Sequence, residues 1–411
     1  AVKTAKILAA DAVEQAGSGH PGTAISLAPA AYLLYNKVMN VDPADPRWIG
    51  RDRFILSAGH SSLTQYVQLY LTGFGLELDD IKKLRTAGSL TPGHPEYGHT
   101  KGVEITTGPL GTGIASAVGF AMNARRVHGL LDPETPLGES VFDHNVYVIA
   151  GDGCFEEGVS AEASSLAGTQ ELGNLTVIWD DNHISIEDNT SIAFNEDVLA
   201  RYEAYGWHVQ RVDWLGEDGS YEENTAALNE ALEAAKAETT KPSLIALRTI
   251  IGWPTPGKQN TGGIHGSKLG GEALSGLKAA LGADPEKMFD VDAALVDEVR
   301  ARATARAAQY RKDWDARFDA WKAANPEGAA LLDRLSAGRL PEGWEASLPT
   351  FEEGKALATR AASGQVLNAI APVLPELWGG SADLAGSNNT FMKGEPSFLP
   401  AHRSSSAFSG N

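Results

Sequence analysis

Two apolar segments of the chain each end beside a side chain that could hold a divalent cation. The segment 146–150 stops at a Gly-Asp-Gly turn that contains Asp152, and the segment 175–179 stops shortly before Asn182. Both segments are typical of buried parallel strands, whose carboxyl ends meet at one edge of a sheet where ligands bind. Carboxylate and amide oxygens are hard donors that suit Mg²⁺ or Ca²⁺. The two strand ends therefore predict a cation site, although Gly-Asp-Gly alone is common in turns.

Four histidines lie in short loops rich in glycine, proline or serine, namely His20, His60, His94 and His265. Imidazole gains and loses protons near neutral pH, so it suits general acid–base chemistry on hydroxyl groups. A single histidine of this kind is as often an ordinary loop residue as a functional one. Four of them beside predicted strand or helix ends favour an active site that moves protons.

The elements that must position these side chains alternate between helix and strand. Helical patterns cover 4–16, 24–38, 114–123, 221–237 and 292–325, and strand patterns cover 52–57, 146–150, 175–179, 207–212 and 243–248. This alternation predicts an α/β fold with a doubly wound, mostly parallel sheet. The long loop 249–270 contains His265, and loops of such length are usually functional.

Composition changes along the chain predict two domains. We expect a first domain over 1–325, an interdomain linker over 326–350 and the incomplete beginning of a second α/β domain over 351–411. The predicted linker has Gly, Pro and scattered charges. The second domain is predicted to begin with a helix from about 355 to 371 and a strand and turn at 377–384.

Composition also limits the class of partner. The chain of 411 residues carries a net charge of −19, which argues against nucleic acid and anionic membranes because both repel an acidic surface. Cys154 is the single cysteine, so an intramolecular disulfide is excluded and a reducing cytoplasm is expected. No apolar run reaches membrane-spanning length. The sequence begins with Ala1 rather than Met and directly in a helical pattern, so we expect further residues to precede Ala1.

The spacing between Asp152 and Asn182 matches the thiamine diphosphate-binding motif, which usually ends in Asn-Asn, whereas Asp181 occupies the first of those positions here. With further motifs in one order, the chain resembles the transketolase family throughout its length. These motifs are Ser-Gly-His-Pro-Gly at 18–22, Ala-Gly-His-Ser at 58–61, Pro-Gly-His-Pro-Glu at 92–96, Gly-Pro-Leu-Gly at 108–111, Gly-Ile-His-Gly at 263–266 and Gly-Gly-Ser-Ala-Asp-Leu at 379–384. The first and last of them are not shared by thiamine diphosphate enzymes in general, so the resemblance is specific.

The resemblance implies the cofactor thiamine diphosphate, held through Mg²⁺ or alternatively Ca²⁺ or Mn²⁺. It assigns the cation to Asp152, Asn182 and the backbone carbonyl of Ile184. The cofactor contacts that it implies are His60, Gly108, Leu110, Gly153, Glu157, Asn182, His265 and Asp383. Glu157 matches a family glutamate that lies at the subunit interface, so a homodimer with its active site between the subunits is also implied.

The resemblance further implies transfer of a two-carbon ketol unit between sugar phosphates in the non-oxidative pentose phosphate pathway. The donor would be a ketose phosphate such as xylulose 5-phosphate, and the acceptor an aldose phosphate such as ribose 5-phosphate. Catalytic roles fall on His20, His60, His94 and His265, and substrate binding on His20, His94, His265, Arg360 and Ser387. Arg360 and Ser387 match positions that bind the substrate phosphate, which a guanidinium can meet with two hydrogen bonds.

The resemblance covers the diphosphate-binding domain and only the start of the pyrimidine-binding domain. The glutamate that protonates the aminopyrimidine is expected beyond Asn411, so we expect this chain alone to be incomplete for catalysis. Two alternatives stay open: a related ketol-transferring synthase that uses formaldehyde or pyruvate-derived units, and a truncated, transketolase-like binding or assembly subunit without turnover. Arg360, Ser387 and the histidines favour sugar phosphates over the first alternative.

Overall fold

The computed structural model describes residues 1–381 and 383–405, which form two compact units. The first unit comprises Ala1–Asn123 and His144–Trp314, and the second lies within Ala124–Asp143 and Asp315–Asn411. Ala382 and residues 406–411, which belong to the predicted second domain, lie outside the described residues. The domain boundaries that the sequence suggests remain predictions.

The strands of the first unit follow the predicted order. They are β1 (Arg53–Leu56), β2 (Val146–Gly151), β3 (Leu175–Asp181), β4 (Ile184–Ser185), β5 (Asp188–Asn189), β6 (His208–Asp213) and β7 (Ser243–Arg248). Five of them form a parallel sheet in the order β1-β2-β3-β7-β6, while β4 and β5 pair as a small antiparallel ribbon. The mostly parallel sheet is therefore confirmed.

Helices connect the strands and continue into the second unit. They are α1 (Val2–Ala16), α2 (Pro21–Ser26), α3 (Ala28–Leu33), α4 (Leu63–Thr72), α5 (Leu78–Lys82), α6 (Thr112–Leu131), α7 (Asp152–Glu156), α8 (Gly158–Thr169), α9 (Val198–Ala204), α10 (Thr225–Ala237), α11 (Gly262–His265), α12 (Gly271–Ala280), α13 (Ala293–Ala324), α14 (Pro326–Ser336), α15 (Thr359–Ile370) and α16 (Ala385–Asn388). None of the helices within 1–381 and 383–405 is both long and apolar enough to cross a membrane.

Both faces of the sheet are buried under helices, which is what a doubly wound fold requires. Along β2, Tyr147 and Ile149 point into one apolar core, and Val148 and Ala150 point into a second one. The first core includes residues of α1, α3, α4 and α10, and the second includes residues of α6, α8 and α9. Strands that are buried on both sides need the continuous apolar runs seen in the sequence.

Two predicted helices differ from the observed ones for local reasons. The predicted helix 24–38 is divided into α2, α3 and a π-helical turn at Leu34–Val38. Pro29 lies in the first turn of α3 because proline lacks the backbone N–H that a helix interior needs. Helix α10 begins only at Thr225, since the side chain of Asn224 caps it by accepting a hydrogen bond from the Ala227 backbone at 3.0 Å.

The second unit is helical in its described part. The predicted strand at 377–384 is wrong for the residues described there, which form irregular chain with a bend at Asp383. A strand needs a neighbour for its backbone groups, and the described residues of this unit include no strand that could pair with it. The predicted linker 326–350 begins with α14, whose first residue, Pro326, is well suited to a helix start.

Candidate active site

The carboxyl ends of the parallel strands bring the predicted residues to one edge of the sheet. Asp152 starts α7 directly after β2, and Asn182 follows β3 directly. The register pairs Gly151 with Asp180, so the two strands end at the same level. His60 lies in a short 3₁₀ turn after β1, at the same edge.

Three of the four predicted histidines form a cluster. The ring centroids of His20 and His60 are 4.9 Å apart, those of His60 and His265 are 5.0 Å apart, and those of His20 and His265 are 5.8 Å apart. His20 immediately precedes α2, and His265 is the last residue of α11. The structure thus joins three loops that are distant in sequence, and we call these three side chains the histidine cluster.

Burial keeps the histidine cluster neutral. Burial, together with the smaller effect of neighbouring histidines, lowers the pKa of His60 to about 3 and that of His20 to about 4. Burial also lowers the pKa of His265. Nδ1 of His20 and Nδ1 of His265 are buried and have no hydrogen-bond partner among the described residues. Such unpaired buried groups are costly, so they indicate a site shaped for a polar ligand.

His94 lies beside the glycine segment that precedes α6. A Cβ atom on Gly108 would lie 3.5 Å from Cδ2 of His94. The backbone carbonyl of His94 accepts a hydrogen bond from the Tyr66 hydroxyl at 3.0 Å, which fixes the loop. Burial lowers the pKa of His94, and the guanidinium of Arg85 lowers it further.

Arg85 is a residue of this site that the sequence motifs do not include. Its charge lowers the pKa of both His20 and His94. Its Nη1 donates to the Ser18 hydroxyl at 3.4 Å, and its backbone N–H donates to the Thr91 carbonyl at 2.9 Å. The fold of this loop brings the Arg85 guanidinium to the histidines. No spacing in the sequence predicts that contact.

Asp152 is buried and keeps one free oxygen. Its Oδ1 accepts a hydrogen bond from Nε1 of Trp179 at 2.9 Å, whereas Oδ2 has no hydrogen-bond partner among the described residues. Burial raises the pKa of Asp152 well above its ordinary value, and the carboxylates of Asp180 and Asp181 raise it further. A buried carboxylate oxygen without a partner fits a bound cation, which would stabilise the charged form.

Asn182 is held by two neighbours. Its Nδ2 donates to Oδ2 of Asp180 at 2.8 Å, and its Oδ1 accepts from the backbone N–H of Ile184 at 2.8 Å. Oδ1 of Asp180 accepts a hydrogen bond from the Thr249 hydroxyl at 2.5 Å. The backbone of Ile184 also contacts His265, so this loop adjoins the histidine cluster.

The donor set has the chemistry of a hard-cation site. No group of three or more His, Cys, Asp or Glu side chains within 1–381 and 383–405 is arranged to hold a metal. A cation here would therefore use one carboxylate, from Asp152, together with the amide oxygen of Asn182 and the carbonyl of Ile184. Oxygen donors of these three kinds are those that Mg²⁺ and Ca²⁺ take in proteins, so the residues fit such an ion.

The predicted cofactor contacts at the start of α6 adjoin those after β2. A Cβ atom on Gly153 would lie 2.9 Å from Cδ1 of Leu110, and one on Gly111 would lie 2.8 Å from Cβ of Glu157. Gly111 also has a φ of +76°, a backbone conformation that favours glycine. The two segments therefore pack closely, and the position of Gly111 favours glycine.

The remaining predicted residues belong to the second unit. Arg360 lies in the first turn of α15, Ser387 lies in α16, and Asp383 precedes α16. All three are exposed, and the Ser387 hydroxyl donates to the Leu384 carbonyl at 3.2 Å. The first unit thus contains the predicted residues between His20 and His265, whereas Arg360, Asp383 and Ser387 lie in the second unit.

The chain is similar to known proteins of one family. The family model described as "Transketolase, thiamine diphosphate binding domain" matches residues 1–341. The transketolase of Mycobacterium bovis is 59% identical over 97% of this chain and 56% of its own length, and that of Geobacillus stearothermophilus is 47% identical over 97% and 58%. A Pichia stipitis transketolase structure, in complex with sedoheptulose 7-phosphate, superposes with a TM-score of 0.91 at 42% identity, covering 100% of this chain and 58% of that one.

The chain spans just over half the length of these curated relatives. Since the family model covers most of the chain, and the sheet, the histidine cluster and the strand ends carry the motifs of that family, the chain belongs to the transketolase family.

Proposed function

We propose that the protein containing this chain is a transketolase that transfers a two-carbon ketol unit from a ketose phosphate to an aldose phosphate. The observation that carries the proposal is the buried histidine cluster beside the loop of Asn182 and Ile184, with two unpaired ring nitrogens. Pichia stipitis transketolases are described in complex with xylulose 5-phosphate and with fructose 6-phosphate, which supports sugar phosphates such as these and ribose 5-phosphate as substrates.

The first unit would hold the diphosphate end of thiamine diphosphate. Asp152, Asn182 and the Ile184 carbonyl would bind Mg²⁺, or alternatively Ca²⁺ or Mn²⁺, and so offset the negative charge of the diphosphate. Contacts to the cofactor itself would come from His60, Gly108, Leu110, Gly153, Glu157 and His265. The cofactor supplies the nucleophilic carbon that takes up the two-carbon unit.

The histidines would bind and exchange protons with the sugar hydroxyls. Breaking the carbon–carbon bond of the ketose requires a hydroxyl group to lose a proton, and the acceptor's carbonyl oxygen must later gain one. A neutral imidazole can take up the first proton and later return one. Burial keeps His20, His60 and His265 in that neutral form, because it lowers the pKa of each.

The second unit would complete the site in the assembled protein. Arg360 and Ser387 would bind the substrate phosphate, and Asp383 would contact the cofactor from a partner subunit in a homodimer. The diphosphate-binding domain would extend over 1–325 and the pyrimidine-binding domain would start at 351. Cytoplasmic localisation and a role in the pentose phosphate pathway belong to the same proposal.

Removing the Asp152 carboxylate tests the proposed cation site. In the full-length protein, Asp152→Ala should abolish the rise in melting temperature that Mg²⁺ and thiamine diphosphate produce together, because a ligand that binds only the folded state stabilises it. Differential scanning fluorimetry with and without both ligands measures the rise.

Asp213 provides a matched control. It ends β6 at the same edge of the sheet, but its side chain is exposed. Asp213→Ala should keep the full ligand-induced rise. If Asp152→Ala also kept it, Asp152 would not be a cation ligand and the proposed site would be wrong.

A further inference from the structure

The last residues of β3 contact both side chains that are proposed to bind the cation. Neighbouring residues of a strand point to opposite faces of the sheet. Trp179 accordingly belongs to the apolar core that contains α6 and α8, whereas Asp180 points to the other face, towards Thr249 after β7. One strand end thus reaches Asp152 from one face and Asn182 from the other.

Trp179 hydrogen-bonds one of the two carboxylate oxygens of Asp152. Its indole N–H donates to Oδ1 at 2.9 Å, and its ring packs on Phe155 with 5.2 Å between the centroids. The indole is nearly buried, and the packing limits its rotation. With Oδ1 occupied in this way, Oδ2 is the oxygen of Asp152 that is left for a cation.

Asp180 determines the orientation of the Asn182 amide. A carboxylate only accepts hydrogen bonds, so the group of Asn182 that faces Oδ2 of Asp180 at 2.8 Å must be the NH₂. The amide oxygen then points the other way, where it accepts from Ile184 with one lone pair and keeps a second. The Thr249 hydroxyl holds the other oxygen of Asp180 at 2.5 Å, so the carboxylate cannot rotate freely.

We infer that Trp179 and Asp180, the latter held by Thr249, are positioning residues that orient Asp152 and Asn182 for the divalent cation. The inference rests on the proposed function, since it concerns the same cation. Trp179, Asp180 and Thr249 would not contact the cofactor or substrate. They would act through the side chains of Asp152 and Asn182. Groups that orient metal ligands typically contribute about 10- to 100-fold to metal affinity.

Titration with Mg²⁺ tests the inference in the full-length protein. At saturating thiamine diphosphate, the Mg²⁺ concentration that gives half of the rise in melting temperature reports metal affinity. Trp179→Phe removes the N–H, Asp180→Asn removes the acceptor-only carboxylate, and Thr249→Val removes the hydroxyl. Each should raise the half-saturating Mg²⁺ concentration by at least about 10-fold, and excess Mg²⁺ should restore the rise.

Two further variants separate positioning from general stability. Thr249→Ser keeps the hydroxyl and should keep the wild-type half-saturating concentration. If Asp180→Asn fails to fold, the contrast between Thr249→Val and Thr249→Ser still tests the inference. Thr176 is buried earlier on β3 and provides a matched control. Thr176→Val removes a hydroxyl from the same strand and should leave the half-saturating Mg²⁺ concentration unchanged.

The outcomes distinguish this inference from the proposed site itself. If Thr249→Val and Trp179→Phe lower the melting temperature without ligands but leave the Mg²⁺ dependence unchanged, the residues are merely structural and the inference is overturned. If Asp152→Ala also leaves the ligand-induced rise unchanged, the cation site is wrong as well. Loss of the rise in Asp152→Ala, with weakened Mg²⁺ dependence in the other variants, supports both.

Discussion

His20, His60 and His265 lie close enough for each ring to respond to the charge of the others. With centroids between 4.9 and 5.8 Å apart, a proton on one ring disfavours a proton on the next. Burial acts in the same direction and is the larger cause of the lowered pKa values of His20 and His60. The histidine cluster therefore works as a set of neutral donors and acceptors at physiological pH.

The neutral histidine cluster predicts a pH dependence of stability. An unfolded histidine takes up a proton below its ordinary pKa of about 6.5, whereas folded His60 does so only near a pKa of about 3 and folded His20 near about 4. The free energy of unfolding should therefore fall as pH falls below about 6.5, by up to about 1.4 kcal/mol per pH unit for each such histidine. Urea unfolding of the cofactor-free protein at a series of pH values measures this.

His60→Gln should reduce that slope, because glutamine does not titrate. His99 is exposed and is the matched control; His99→Gln should keep the wild-type slope. An equal slope in His60→Gln and wild-type protein would contradict a buried neutral imidazole at position 60.

The motifs identified most side chains of the site but not their supporting contacts. His20, His60 and His265 could be predicted because their loops carry recognisable short sequences, and the structure brings the three rings together. The roles of Arg85 and Trp179 could not be predicted, since their contacts depend on how the chain folds. Nothing in the local sequence indicates which residues an arginine in a loop or a tryptophan in a strand will contact.

At the scale of elements, α1 is anchored by ion pairs whose lysines are buried. Nζ of Lys278, on α12, lies 2.7 Å from Oδ1 of Asp11, and both side chains are almost completely buried. Oδ2 of Asp11 accepts from the Phe289 backbone at 2.7 Å. Lys6 forms a second pair with Glu223. Burial raises the pKa of Asp11, so its charge depends on these partners.

Removing one partner of the Asp11–Lys278 pair should be strongly destabilising. Lys278→Met leaves the Asp11 carboxylate buried without its counter-charge, which typically costs about 3–5 kcal/mol. Adding Asp11→Leu to Lys278→Met should recover much of the loss, because an apolar pair of similar volume needs no charge compensation. Urea denaturation at neutral pH measures the differences.

Lys287 is a suitable control, since its ion pair with Asp284 is exposed. Lys287→Met should change stability by less than about 1 kcal/mol. A Lys278→Met variant as stable as the Lys287→Met variant would mean that the buried pair contributes little to holding α1.

The sequence predicted elements best where burial alone decides them. The strand 243–248 agrees with β7 in both ends, because a short apolar run between helices leaves one arrangement in a doubly wound sheet. The described residues of 377–384 form no strand, although an apolar start followed by glycines resembles a strand end. A strand forms only where it can pair with another strand, and a local sequence pattern does not indicate whether such a partner exists.

At the scale of the whole molecule, the proposed homodimer with shared sites makes a quantitative prediction. If each site combines Asp152 of one subunit with Asp383 of the other, a mixed dimer of Asp152→Ala and Asp383→Ala subunits contains one intact site and one doubly altered site. Random exchange between two inactive full-length variants should then restore about a quarter of wild-type activity. Ketol transfer measured after denaturing and refolding the mixture tests this.

A mixture of Asp152→Ala and His265→Ala subunits is the control, because both changes lie in the same unit. Every site in that mixed dimer carries one change, so activity should stay absent. Equal results for the two mixtures, with exchange verified by native mass spectrometry, would contradict sites shared between subunits.

The position of β3 within the sheet has a consequence for dynamics. It is the central strand, hydrogen-bonded to β2 on one side and β7 on the other along most of its length. Such strands open to hydrogen exchange only in the largest unfolding events, unlike loops and sheet edges. We therefore expect Trp179 and Asp180 to lie in the slowest-exchanging part of the molecule. If β3 positions Asp152 and Asn182 as inferred, their orientation is set when the sheet folds, and a bound cation would cost little conformational entropy in ordering them.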